Sequence, residues 1–217
     1  MIRTLSQKFK ACKMDVLMSK PVLAATAWKS NGDLIADAAS LYWKNAGTII
    51  DPTYGKGNWW TVWQPDYLTV HDVALDGVDF RSLPYADNTF DGAAYDPPYV
   101  SVGGRSTSMV KDLYGRFGLL DAPTSPKELQ KLINDGLREV TRVTRPKGHI
   151  FVKCTDYVSS NKLWSGTFLT TEFAIRQLDL ELVDRLEHVA VQPRPQPPGR
   201  RQVHARRNLS TLLVFQK

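Results

Sequence analysis

Cysteine is almost missing from this chain. Its 217 residues hold two, Cys12 and Cys154, far apart and in no CxxC or Cys/His array, and the four histidines are equally scattered. That excludes a disulfide scaffold and leaves a zinc site without support. A long apolar run is missing too. Asp15 and Lys20 interrupt "MDVLMSKPVLAATAW", leaving neither a clean signal core nor a membrane-length stretch, so the chain reads as a protein of the reducing cytoplasm with no membrane partner. The GxxxxGK[ST] phosphate loop is absent, and the glycine turn at Gly55 and Gly57 lacks the third glycine of the dinucleotide fingerprint. Pyrophosphate is therefore a poor fit. There is no internal repeat.

Acidic residues are missing from position 188 onward, and this absence locates the charge. Residues 188 to 217 hold Arg194, Arg200, Arg201, Arg206, Arg207 and Lys217, a local +6; residues 1 to 20 hold five basic residues and Asp15, a local +4. With a net charge of +6, the middle is left at −4. A basic rim around a mildly acidic body suits a polyanionic partner, because clustered Lys and Arg attract phosphates by counterion release. The alternative is a solvated tail that aids solubility.

What is present is enough for one large globular domain: 42% apolar and 23% charged residues over this length support a full core and leave little room for a second sizeable one. Apolar runs alternate with helical patterns. "GTIID" (47 to 51), "YLTVH" (67 to 71), "DGAAY" (91 to 95) and "HIFVK" (149 to 153) read as buried strands, an order that implies a parallel sheet. A helix is expected from "SPKE", with Ser125 as N-cap, Pro126 in the first turn and Glu128 completing a capping box. Leu129, Leu132, Ile133, Leu137, Val140 and Val143 fall on its inner face, until "RPKG" ends it. An earlier helix near 32 to 45 places Leu34, Ile35, Ala38, Leu41 and Tyr42 on one side, for packing. "LELVDRLEHVAV" and "STLLVF" read as an antiparallel pair joined by the proline- and arginine-rich "QPRPQPPGRRQVHARRN", which cannot be helical.

Two strand ends carry chemistry. The first runs into "DPTYGKGNWW", where Gly55 and Gly57 let the backbone approach a ligand near a helix N-terminus. Asp72 directly follows the second strand, where open α/β sheets hold a ribose by its hydroxyls; it could instead only cap a turn. Together these suggest a nucleoside without a diphosphate. The third strand ends in "AAYDPPYV", where two prolines forbid further ladder pairing. A rigid platform results, with the Asp96 carboxylate, the carbonyls of Pro97 and Pro98, and the Tyr99 ring. Asp and Pro also serve simple turns.

"DPTYGKG" followed about forty residues later by "DPPY" resembles the amino-methyltransferases that act on nucleic-acid bases with S-adenosylmethionine. "VDFRSLPYADNTFDGAAYDPPY" is similar to the third and fourth strands of class I methyltransferases. The resemblance covers roughly residues 46 to 217, so residues 1 to 45 stand apart as a basic segment with a packing helix. It implies an α/β, Rossmann-like three-layer fold with a mainly parallel seven-stranded sheet and an antiparallel last strand. It assigns S-adenosylmethionine binding to Asp51, Pro52, Thr53, Gly55, Gly57, Asp72, Asp79 and Phe80, with Thr53 standing where an aromatic residue is usual. It makes Asp96, Pro97, Pro98 and Tyr99 the catalytic platform.

The chemistry fits those residue types. An exocyclic amino group is a poor nucleophile because its lone pair is conjugated into the ring. Hydrogen bonds from its hydrogens to the Asp96 carboxylate and the Pro97 carbonyl favour a pyramidal nitrogen with a free lone pair. Tyr99 stacking, at about 1–3 kcal/mol, offsets part of an extrusion cost of a few kcal/mol in a duplex. Asp in the first tetrapeptide position is more usual for adenine N6 in this family, which favours DNA adenine methylation; RNA adenine N6 or guanine N2, and cytosine N4, are the alternatives.

Only residues 100 to 124 and the loop of 192 to 208 are available for target recognition, so a homodimer or an accessory specificity subunit remains open. The arginines Arg194, Arg200, Arg201, Arg206 and Arg207 are the expected phosphate contacts. Trp59, Trp60 and Trp63 are expected in core or cofactor-edge packing rather than base stacking, and Cys154 in the core. Lys153, at a strand end, reads either as a phosphate contact or as a solvated side chain. A non-catalytic nucleic-acid-binding module with a methyltransferase shell would be marked by damage to the glycine turn or the tetrapeptide; neither is damaged.

Overall fold

The structure is a computed structural model that describes residues 23–24, 28–99, 107–115, 118–119, 121–190, 202–205 and 207–217. The basic residues of the first twenty positions and Arg194, Arg200, Arg201 and Arg206 lie outside the described residues.

The elements follow the periodicities of the sequence. In chain order they are α1 (Asn31–Tyr42), β1 (Thr48–Asp51), a 3₁₀ turn (Asn58–Trp60), β2 (Tyr67–Val70), α2 (Val73–Asp76), β3 (Phe90–Tyr95), α3 (Thr107–Gly115), α4 (Pro126–Val143), β4 (Thr144–Cys154), β5 (Asp156–Ser159), β6 (Lys162–Ser165), α5 (Gly166–Leu178), β7 (Glu181–Val189) and β8 (Leu209–Gln216). The main sheet has the order β2-β1-β3-β4-β8-β7. Strands β2, β1, β3 and β4 are parallel, and β8 runs antiparallel to both β4 and β7. This order, with helices on both faces and the antiparallel closing hairpin, is that of the class I methyltransferase fold.

Alternation along each strand divides the core between the two faces. Ile50, Ala93, Tyr95, Ile150, Val152, Leu213 and Phe215 pack with the inner face of α4 and with α5. Their neighbours Ile49, Ala94, Phe151, Leu212 and Val214 pack on the other face with Leu34, Ile35 and Ala38 of α1 and with Trp43, Trp59 and Trp60. Helix α1 therefore shares a core with the sheet. Leu41, expected on its inner side, is exposed instead. Ser125 caps α4 by accepting the Glu128 N–H at 3.2 Å, and Glu128 accepts the Thr124 N–H at 2.7 Å, one residue earlier.

One expectation fails. The main sheet holds six strands among the described residues where the resemblance implies seven: Val78–Phe80, at the start of the stretch likened to the third and fourth strands of that family, has no ladder. Its backbone is used locally: Asp76 accepts the Val78 N–H at 3.1 Å and Asp79 accepts the Arg81 N–H at 2.8 Å. Aspartates that bond nearby backbone in this way compete with sheet formation. A separate hairpin, β5–β6, follows β4 and turns through Ser160 and Asn161, both with positive φ as a two-residue turn of this hand requires.

Gly136 of α4 faces the strand that carries the site. A Cβ there would meet Tyr95 Oη at 2.1 Å and Phe80 Cδ2 at 2.5 Å. On an exposed helix, Gly→Ala stabilises by about 1 kcal/mol. At this contact the sign reverses, and Gly136→Ala is expected to destabilise by about 1–3 kcal/mol in urea unfolding; a midpoint at or above that of the parent would contradict the close packing.

Candidate active site at the carboxyl edge of the sheet

Parallel strands β1, β2 and β3 end at one edge, and three aspartates emerge there. Asp51 closes β1 and is buried. Its Oδ1 accepts the Thr53 N–H at 2.9 Å and the Thr53 hydroxyl at 3.2 Å, and its Oδ2 accepts the Trp60 indole N–H at 2.8 Å. Burial pushes this carboxyl up to about 7, against the pull of those hydrogen bonds. The turn then passes through Gly55 and Gly57, both with positive φ. At Gly57 the positive φ favours glycine, and a Cβ would lie 2.6 Å from the Tyr54 hydroxyl, which would have to shift.

Asp72, directly after β2, does two jobs. Its Oδ1 accepts the Ala74 N–H at 2.9 Å as N-cap of α2, and its Oδ2 accepts the Gly55 N–H at 3.0 Å, pinning the glycine turn. The capping expected as a bland alternative is real, and the residue also lines the cavity.

Asp96 leaves β3. Its backbone N–H donates to the Thr53 hydroxyl at 2.8 Å, and its Oδ2 accepts the Trp59 indole N–H at 3.0 Å. Its Oδ1 is buried, with no hydrogen-bond partner among the described residues. Burial pushes this carboxyl up to about 6, while the charge of Lys153 and the hydrogen bonds from Trp59 and Tyr99 hold it down. Thr53 thus joins the two carboxylates: one hydroxyl contacts Asp51 Oδ1 and the Asp96 amide. An aromatic residue at this position could not make that link.

These groups surround a cavity of about 370 Å³, within the ~300–1,000 Å³ range of small-molecule sites. Asp51, Pro52, Thr53, Gly55, Asp72, Phe80, Asp96, Pro97, Pro98 and Tyr99 all line it. Two of the expected residues do not. Gly57 sits behind the turn as the cap of the 3₁₀ segment, and the Asp79 carboxylate is gripped by the Arg81 guanidinium at 2.6 Å.

Both readings of Lys153 are corrected. It is buried at 1% exposure, with its ammonium donating to Asn31 Oδ1 of α1 at 2.6 Å, so it neither meets solvent nor reaches phosphate. It points inward because it follows Phe151 on the α1 face of the sheet. Cys154 is core as expected, its thiol pushed up to about 12 by burial. Trp59 and Trp60 pack in the core as expected, Trp59 also at the edge of the cavity; their indole hydrogen bonds to Asp96 and Asp51 were not foreseen. A signal for them existed: an indole has one polar atom, a donor, which finds an acceptor when buried, and two adjacent tryptophans follow a turn with two acids near it. Arg207 is partly buried and donates to the Ala205 carbonyl at 3.3 Å. No helix among the described residues is long and apolar enough to cross a membrane.

No family model and no curated protein sequence matches the chain. Solved structures are similar in outline. A proposed DNA modification methylase from Thermus thermophilus matches at 14% identity and TM-score 0.43 over 64% of this chain and 52% of that one. The [4+2]-cyclase SpnF matches at 14% identity and TM-score 0.48 over 86% and 81%. The cytosine-N4-specific PvuII DNA methyltransferase matches at 11% identity and TM-score 0.46 over 64% and 47%. The chain spans about half the length of the two DNA methylases. At such identities and scores these likenesses say nothing of its substrate, and a cyclase stands among them.

Proposed function

We propose that the chain is an S-adenosylmethionine-dependent methyltransferase acting on an exocyclic amino group of a nucleic-acid base, adenine N6 in DNA. The observation that carries this reading is the Asp96 carboxylate: the residue lines the cavity, Trp59 holds one of its oxygens, and the other is buried with no hydrogen-bond partner among the described residues. A buried acceptor left open is costly unless a ligand donor completes it. The two hydrogens of a planar amino group suit Asp96 Oδ1 and the carbonyl of Pro97, on a backbone that the prolines keep rigid.

The donor set also fits the cofactor. Asp51 and Asp72 place two acids around a glycine turn, suited to a cationic amino acid moiety and to ribose hydroxyls, and Phe80 offers an apolar wall for adenine. Bound there, S-adenosylmethionine supplies an electrophilic methyl group on a sulfonium. The chain's own residues hold the turn through Asp72, tie Asp51 to Asp96 through Thr53, and keep the amino acceptor dry. Asp96, raised to about 6, can take the proton that an alkylated amino group must lose.

Asp72→Ala removes the acceptor of the Gly55 N–H and the cap of α2 together. It is expected to weaken S-adenosylmethionine binding by more than the ~1 kcal/mol of ordinary surface changes, read by calorimetry. Wild-type affinity in that variant would remove Asp72 from the cofactor site. The function itself is tested by supplying methyl-labelled cofactor with pools of DNA, RNA and protein. Label is expected in DNA; label only in RNA transfers the reading to that polymer, and label only in protein overturns it.

A further inference from the structure

A buried lysine in an otherwise apolar layer is the one charged side chain of the described core that the reading above leaves unused. We propose that Lys153 is a positioning residue: the internal counter-ion that keeps the Asp96 carboxylate ionised at the head of the tetrapeptide. This rests on the function proposed above for Asp96.

The geometry is set by strand register. β3 and β4 are parallel neighbours whose register ends with Tyr95 opposite Val152, and Asp96 and Lys153 are the next residues of the two chains. Adjacent strands lie about 4.8 Å apart. Tyr95 and Val152 share one face, with α4; Asp96 and Lys153 therefore share the other, where Asp96 meets Trp59 and Lys153 meets Asn31. Leu212, paired with Lys153 across β8, and Leu186 beyond it are buried apolar neighbours. An ammonium placed in such a layer is strongly disfavoured unless a negative charge and a good acceptor compensate it. Asn31 supplies the acceptor and Asp96 the charge.

The other titratable groups around Lys153 are few. Glu187 of β7 acts on it but accepts the Thr211 hydroxyl at 2.7 Å, Cys154 follows it in the strand, and His188 of β7 is lowered by burial and by the lysine's own charge. Asn31 of α1 is neutral. Burial pulls Lys153 down to about 8, and among the charges that oppose this Asp96 comes first. Asn31 is the first residue of α1, directly after the Ser30 cap, which accepts the Asp33 N–H at 3.1 Å.

The test needs no substrate in its first arm. The Trp59 indole N–H donates to Asp96, so its ¹⁵N–¹H resonance in the free protein reports Asp96 ionisation. Lys153→Met and Lys153→Gln, two neutral variants of similar length, are expected to move that titration upward by about 1–3 pH units, and Lys153→Arg to restore it. In the second arm, the acid limb of the pH–rate profile for methyl transfer moves upward by the same amount in the neutral variants. An unchanged Trp59 midpoint in whichever neutral variant is folded overturns the pairing. A shifted midpoint with an unshifted acid limb overturns its part in catalysis. Absence of methyl transfer in the parent protein, with the midpoint shifted, would instead strike the proposed function and leave the ion pair standing.

Discussion

Asp96→Asn is expected to lower the rate of the proposed methyl transfer by about 100-fold or more, while the folded state and the affinity for S-adenosylmethionine stay close to those of the parent. The asparagine keeps the shape of the side chain. It must turn its carbonyl toward the Trp59 indole, a donor that accepts no alternative, and so presents an NH₂ group to the cavity. A donor then faces a donor at the amino group, and the nitrogen is no longer drawn out of conjugation. The pH dependence carries the same signature with a definite sign. Asp96 in the folded protein is raised to about 6, so its ionised form is lost as pH falls through that value, and the parent's rate is expected to fall there. The variant, with nothing to titrate, loses that limb. Undiminished turnover in Asp96→Asn would contradict amino activation by this carboxylate.

The second large effect concerns the arginines between β7 and β8. Replacing Arg200, Arg201, Arg206 and Arg207 by Ala is expected to weaken nucleic-acid binding and to flatten its salt dependence by about one log unit of slope per lost phosphate contact, with cofactor affinity unchanged. The two ends of the connection are fixed at a useful place. Ala190 donates to the Asn208 carbonyl at 2.6 Å, and β8 starts beside the end of β4, where Cys154 pairs with Thr211. That is the edge from which Asp96 emerges. His204 lies against the tip of the β5–β6 hairpin, 2.9 Å from the Asn161 carbonyl, so the described part of the connection leans along this edge. The prolines limit the freedom lost when the arginines meet phosphates. Filter binding across a salt series reads the slope; an unchanged slope makes the connection a solvated hairpin tip and turns attention to the lysines of residues 1 to 20.

Much of the fold was legible because its strands are short, apolar and bounded by punctuation. "GTIID" and "DGAAY" each end where an acid and a proline or a glycine interrupt the pattern, and α4 announces itself by Ser125, Pro126 and a six-residue apolar face. The β5–β6 hairpin was not legible. Its turn uses Ser160 and Asn161, without the glycine that marks most two-residue hairpins. The missing strand at Val78–Phe80 had the opposite fault: its apolar residues suit a ladder, but Asp76 and Asp79 take its neighbouring amides.

The site divides the same way. The tetrapeptide and the glycine turn were readable from residue types and order, since their backbone demands restrict sequence strongly. Trp59 was readable only as packing and Thr53 only as a cofactor residue, because a side chain's hydrogen-bond partner across 37 or 43 positions depends on how β1 and β3 are set side by side. Lys153 was misplaced for a simpler reason. Lysine at the end of an apolar strand ordinarily reaches water, and the acceptor that meets it here is the first residue of α1, 122 positions away.

The central claim is that this platform alkylates an amino nitrogen, and the position of the transferred methyl group tests it most directly. Duplex DNA treated with the protein and methyl-labelled S-adenosylmethionine is digested to nucleosides and separated by chromatography with mass detection. The account predicts label in N6-methyladenine, abolished by Asp96→Asn. Label on a ring carbon, as in 5-methylcytosine, or on a ring nitrogen would contradict it, because neither atom presents the paired hydrogens that the Asp96 and Pro97 oxygens are placed to receive.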